Sequence, residues 1–86
     1  MMTEIEFEVL DELYFLQSYQ YLINTLKMED DNLKATLSIL ITKGWVRCYR
    51  SPTEEVDFEH SIFEKNYRNY HYLASKAGLL AHNSIS

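Results

Sequence analysis

The chain has 86 residues, 47% hydrophobic and 24% charged, with two Gly and one Pro. That is the length and composition of one folded domain, and it excludes collagen-like, linker-like and low-complexity chains. The net charge of −5 repels nucleic acid and anionic membranes at long range.

No apolar run is long enough to span a membrane. The acidic N-terminus lacks the basic and apolar regions of a signal peptide, so a cytoplasmic location is expected. The lone Cys48 forms no internal disulfide. Charge is distributed in blocks. Residues 1–31 carry −7, residues 32–50 carry +4, residues 51–64 carry −5 and residues 65–86 carry +3.

Thr3 followed by Glu6 reads as a capping box. Ile5, Val9, Leu13 and Leu16 then recur on one helical face, widened by Leu10 and Tyr14. The nearby acids fall mostly on the other side, and the spacing predicts a helix over 4–15. Ser18 is a plausible cap for a second helix over 19–26, with Leu22 and Leu26 inward. Glu29, Asp30 and Asp31 suit a helix start, and Leu33, Leu37, Leu40 and Ile41 repeat until Gly44, a good residue just past a helix end. The third helix is expected over 30–43. Its short connection to the second makes a helix-turn-helix unit.

After Gly44 the period changes. Residues 45–49 alternate in polarity and predict a strand with Val46 and Cys48 facing the helices, ended by Ser51-Pro52. Residues 70–73 predict a second strand, with His71 and Leu73 inward. A structureless connection of this length is unusual, so Phe58, Ile62, Phe63 and Tyr67 are read as a helix over 57–66 capped by Asp57. Ser51-Pro52-Thr53-Glu54 also resembles a helix start. Ser75 caps a short last helix, and residues 83–86 are expected to fray. The expected core is Ile5, Val9, Leu13, Leu22, Leu26, Leu33, Leu37, Leu40, Ile41, Val46 and Leu73.

The segment Leu37-x-x-Leu40-x-x-Lys43-Gly44-Trp45-Val46-Arg47 resembles the end of the recognition helix and the first wing strand of MarR-type and related bacterial regulators. Tyr72 to Leu79 is similar to their second wing strand and following helix, with Ala74 where the family often has Thr. The resemblance covers residues 4–82. It implies an α+β winged helix-turn-helix: three helices, then a two-stranded hairpin with a helical insert in the wing connection and a short C-terminal helix. Two features depart from the family. No room remains for dimerisation helices, and the wing connection is acidic.

Two functions are open at this point. A winged helix that binds duplex DNA would hold phosphates with Lys34, Lys43, Arg47, Arg50 and Arg68 and place Ser38 and Thr42 near bases. A protein-interaction module, acting on itself as a homodimer or on another protein, suits the acids at the first helix, at the start of the third and in the insert. The seven tyrosines fit either a half-buried core or an interface. His60, His71 and His82 share no ligand spacing with Cys48, so no metal or other cofactor is expected, and His71 is read as a packed, hydrogen-bonded residue. No phosphate loop or nucleophile motif is present, and neither an enzyme activity nor a small-molecule substrate is expected.

Overall fold

The computed structural model describes residues 2–84, and Ile85 and Ser86 of the tail expected to fray lie outside them. Among the described residues, five helices pack against one antiparallel sheet, an α+β arrangement. In chain order the elements are α1 (Glu4–Glu12), β1 (Gln17–Ser18), α2 (Tyr19–Leu26), α3 (Asp30–Thr42), β2 (Val46–Ser51), β3 (Glu54–Val56), α4 (His60–Asn66), a 3₁₀ turn (Tyr67–Asn69), β4 (His71–Ala74) and α5 (Lys76–Asn83). The strand order is β1-β4-β2-β3. The expected two-stranded hairpin is therefore the centre of a four-stranded sheet.

The caps form as their chemistry requires. Thr3 and Glu6 make the reciprocal capping box, and the Ser18 and Ser75 side chains accept from the backbone N–H groups of Tyr21 and Gly78. α1 stops at Glu12 rather than Phe15. The Leu13 carbonyl turns out of the helix and accepts from the Ala74 N–H at 2.9 Å, which fastens the end of α1 to β4. Pro52 sits in a tight turn, not at a helix start, and β3 folds back along β2. α4 begins at His60. Neither Asp57 nor the N-cap Glu59 caps it through a side chain. Asn83, expected to fray, ends α5, and its side-chain oxygen accepts from the Tyr14 hydroxyl at 2.9 Å.

The core contains Val9, Leu13, Leu22, Leu33, Leu37, Leu40 and Val46 as expected. Four assignments change. Ile5 is 48% exposed, because the inward stripe of α1 is Glu6, Val9, Leu10 and Leu13. Leu26, Ile41 and Leu73 are only half-buried. The face of β4 is opposite to the one expected: Tyr70, Tyr72 and Ala74 point inward. Register explains this. Cys48 lies opposite Tyr72 and Val46 opposite Ala74, and directly paired residues share a face. With Val46 and Cys48 inside, Tyr72 must be inside too. Its hydroxyl is satisfied there by donating to the Tyr67 carbonyl at 2.7 Å. His71 faces the other way opposite Tyr49, half-buried, and its Nδ1 is buried without a hydrogen-bond partner.

Both glycines meet at one junction. Gly44 has φ +79°, a conformation that side chains disfavour, and it turns the chain from α3 into β2. A Cβ on Gly78 would overlap the Trp45 carbonyl oxygen and lie 2.9 Å from its carbon, so α5 can approach β2 only as glycine. Ala is the better helix former by about 1 kcal/mol. Gly78→Ala should nonetheless destabilise the fold by about 1–3 kcal/mol or more, because the obstacle is backbone and cannot rotate away. Leu37→Ala, at a fully buried site, should cost about 2–5 kcal/mol. Urea denaturation of both variants checks the pair, and a neutral or stabilised Gly78→Ala would contradict the close approach.

Candidate functional site

The residues expected to contact DNA separate into three places. Lys34 and Arg68 flank the Tyr67 ring, with the ammonium 5.4 Å and the guanidinium carbon 5.3 Å from its centroid. Lys43 lies at the far end of α3, about 13 Å along the axis from Lys34 at 1.5 Å per residue, with its ammonium 4.7 Å from the Trp45 ring centroid. Arg47 and Arg50 lie on β2 with exposed side chains. Ser38 is half-buried, and Thr42 donates its hydroxyl proton to the Ser38 carbonyl at 2.8 Å instead of presenting it outward.

Each of the five basic side chains meets a carboxylate. Lys34 pairs with Glu64 at 3.1 Å, Lys43 with Glu6 at 2.9 Å, Arg47 with Glu55 at 3.0 Å, Arg50 with Glu54 at 3.0 Å and Arg68 with Asp30 at 2.8 Å. Glu54 and Glu55 come from β3, so the hairpin carries its own counter-charges. The other three bases, Lys27, Lys65 and Lys76, meet no carboxylate among the described residues.

Asp30, the first residue of α3, organises the most connected of these sites. Its carboxylate accepts from the Tyr19 hydroxyl at 2.5 Å, the Tyr67 hydroxyl at 2.6 Å, and Arg68 Nε and Nη2 at 3.2 and 2.8 Å. The Arg68 guanidinium, then the Tyr19 and Tyr67 hydroxyls, hold its carboxyl well below the usual 3.8, and burial opposes them only weakly. The Tyr19 phenol is pushed up, first by burial and then by Asp30, while Asp30 itself is the main cause for Tyr67. Glu6 plays a similar part at the other end of α3. Burial would raise its carboxyl, but the Thr3 N–H and the Lys43 ammonium outweigh it and leave the value below 4.5. The capping box with Thr3 is legible for Glu6, while Asp30 reads only as a solvated, dipole-matched acid. Lys43 and Arg68 are 37 and 38 positions away from the acids they meet, so no local pattern could reveal those two contacts.

A groove runs along the outer side of α1. Two adjoining cavities of about 250 and 290 Å³ share Glu8 and Leu26 as lining residues. Ile5, Phe7 and Met28 add apolar surface, and Asp11, Glu12 and Glu29 add carboxylates against the single base Lys27. Glu8 and Glu29 meet no base among the described residues, while Glu12 accepts from the Tyr21 hydroxyl at 2.9 Å. On the α5 side of α1, His82 is 8% exposed. It stacks on Phe7 at 4.0 Å and places Nδ1 2.8 Å from the Tyr14 hydroxyl, and its Nε2 lies 3.4 Å from Asp11 without making a hydrogen bond.

Among the described residues, no group of three His, Cys, Asp or Glu side chains could hold a metal ion. No helix among them is long and apolar enough to cross a membrane. Comparison with protein-family models, curated proteins and solved structures finds no match to this chain.

The depressed Asp30 and Glu6 carboxyls fix a pH dependence. A group with a lowered folded-state pKa stabilises the fold above its unfolded value, and that contribution is lost as the pH falls. Stability should hold above the ordinary carboxyl values of 4.5 and 3.8 and decline beneath them. Asp30→Asn should lower the neutral-pH stability by about 1–2 kcal/mol, the range for losing charged hydrogen bonds partly screened by water. It should also flatten the acid limb. Urea midpoints measured against pH test this, and an acid limb as steep in Asp30→Asn as in the parent would refute the role of Asp30.

Proposed function

We propose that this chain is a protein-interaction module of winged-helix type that does not use duplex DNA as its partner. The order of helix, helix-turn-helix, strand, inserted connection, strand and helix supports the winged-helix arrangement, as do the paired β2 and β4 that the wing resemblance would require. The pairing of all five candidate phosphate-binding cations with carboxylates carries the functional reading.

Phosphate binding gains from releasing condensed counterions with free Lys and Arg side chains. Here a phosphate must first displace a carboxylate, and the displaced carboxylate stays tethered within the same interface. Exposed ion pairs are individually weak, worth about 0–1 kcal/mol, so opening one is easy. Leaving five like charges against a polyanion is not. The net charge of −5 adds a long-range barrier. The exposed apolar side chains Phe15 and Leu80, 77% and 62% accessible, are surface that a protein partner can cover and that a duplex does not need.

One observation favours duplex binding: Arg47 and Arg50, three positions apart on β2, have side chains 55% and 65% exposed. A titration with mixed-sequence duplex at low salt separates the two. The parent chain should show no binding at tens of micromolar protein, where non-specific complexes with Kd of about 10⁻⁴ to 10⁻⁶ M are visible. The double variant Glu54→Gln, Glu55→Gln should gain weak, salt-sensitive binding, because it frees both arginines. Salt-dependent binding by the parent chain would overturn the proposal.

A further inference from the structure

We infer that the groove between α1 and the α2–α3 turn docks an extended arginine- or lysine-bearing segment of a partner protein. This rests on the protein-interaction reading and gives it a surface and a partner chemistry. Its first cavity is lined by the apolar Ile5, Leu26 and Met28 together with the carboxylates of Glu8 and Glu29, against one base, Lys27. Ile5 is the largest departure from the expected core: a branched aliphatic residue 48% exposed beside a concave surface.

A long basic side chain has matching chemistry in one unit. Its methylene stem lies on apolar surface while its charged head reaches a carboxylate. Glu8 borders both cavities and Glu29 the first, and neither has a base of its own among the described residues. They differ in this from Glu6, Asp30, Glu54, Glu55 and Glu64, whose charges are already met within the chain. The groove continues past Leu26 to Asp11 and Glu12, so a second basic residue of the same segment finds acids further along. Cavities of about 250 and 290 Å³ hold side chains from a strand-like segment, not a folded domain. A second copy of this chain, with its acidic surface, lacks the required charge.

The test uses the full chain and three blocked pentapeptides: Arg-Leu-Arg-Leu-Arg, its Ser-for-Leu analogue and its Glu-for-Arg analogue. Backbone amide chemical-shift mapping should place the first peptide on residues 5–12 and 25–32, and the other two should bind more weakly. Glu8→Lys with Glu29→Lys should weaken binding by about tenfold or more. Glu59→Lys with Glu4→Lys, an equal charge change at exposed acids outside the groove lining, should leave it within about twofold if site geometry rather than net charge decides. All four positions are exposed, and thermal melts confirm that the variants fold. Equal loss in both double variants, shifts spread over the hairpin, or no binding by the Arg-Leu peptide would overturn the groove. A duplex titration on the same sample separates the two failures. If duplex and peptide are both inert, the groove alone fails, whereas duplex binding by the parent chain removes the interaction reading and the groove with it.

Discussion

The Trp45 carbonyl is where the two halves of the domain are held together. It accepts from the Ser75 N–H at 2.9 Å, while the Ser75 hydroxyl donates to the neighbouring Gly44 carbonyl at 2.5 Å and accepts from Gly78 N–H at 3.1 Å. On the other side the Trp45 N–H donates to Leu40 at the end of α3. The two successive peptide units that flank Trp45 therefore couple the exit of α3, the start of β2, the end of β4 and the start of α5. The arrangement needs a left-handed residue at position 44 and no side chain at position 78, and the only two glycines of the chain stand there. β4 runs into this junction and β2 runs out of it, and the pairing of Val46 with Ala74 beside it goes with the register that turns Tyr72 inward.

A second constraint is electrostatic. The chain has 13 acids and eight bases, and the fold uses several acids as internal connectors. Asp30 gathers the end of the inserted segment, through Tyr67 and Arg68, onto the start of α3 and onto Tyr19 of α2. Glu6 binds α1 to the end of α3 through Lys43. A carboxylate accepting several charge-assisted or phenolic hydrogen bonds tolerates a partly buried position where an unpaired one does not. The acids at the helix starts thus do more than match the dipole.

The proposed function rests on where this connecting chemistry ends. Bases committed to Glu64, Glu6, Glu55, Glu54 and Asp30 contribute little outward positive field, because each is cancelled within about 3 Å. Beside Lys27, Lys65 and Lys76, the remaining acids include Glu8, Asp11, Glu12 and Glu29, which lie along α1 and the α2–α3 turn beside exposed aliphatic surface. Such a surface is complementary to a basic protein segment and repels a polyanion.

The sequence by itself determined the local features. Capping chemistry at Thr3, Ser18 and Ser75, the heptad-like spacing of Leu33, Leu37 and Leu40, and the break at Gly44 depend on neighbours within a turn or two, so they are legible along the chain. The tertiary structure alone decided features that depend on distant partners. Alternation in residues 70–74 permits either face, and pairing with Cys48 selects the one that buries Tyr72. β1 and β3 are two and three residues long, too short for a periodic signal, and form only because β4 and β2 present edges to them. Ser51-Pro52-Thr53-Glu54 resembles a helix start because Pro52 fits both a helical first turn and a tight turn. The fate of the charges was hidden for the same reason. Side-chain charge is a property of composition, but whether a lysine or arginine faces solvent or a carboxylate is fixed only by folding: Lys34 and Glu64, 30 positions apart, meet at 3.1 Å, and Arg47 meets Glu55, eight positions on, because β3 folds back along β2.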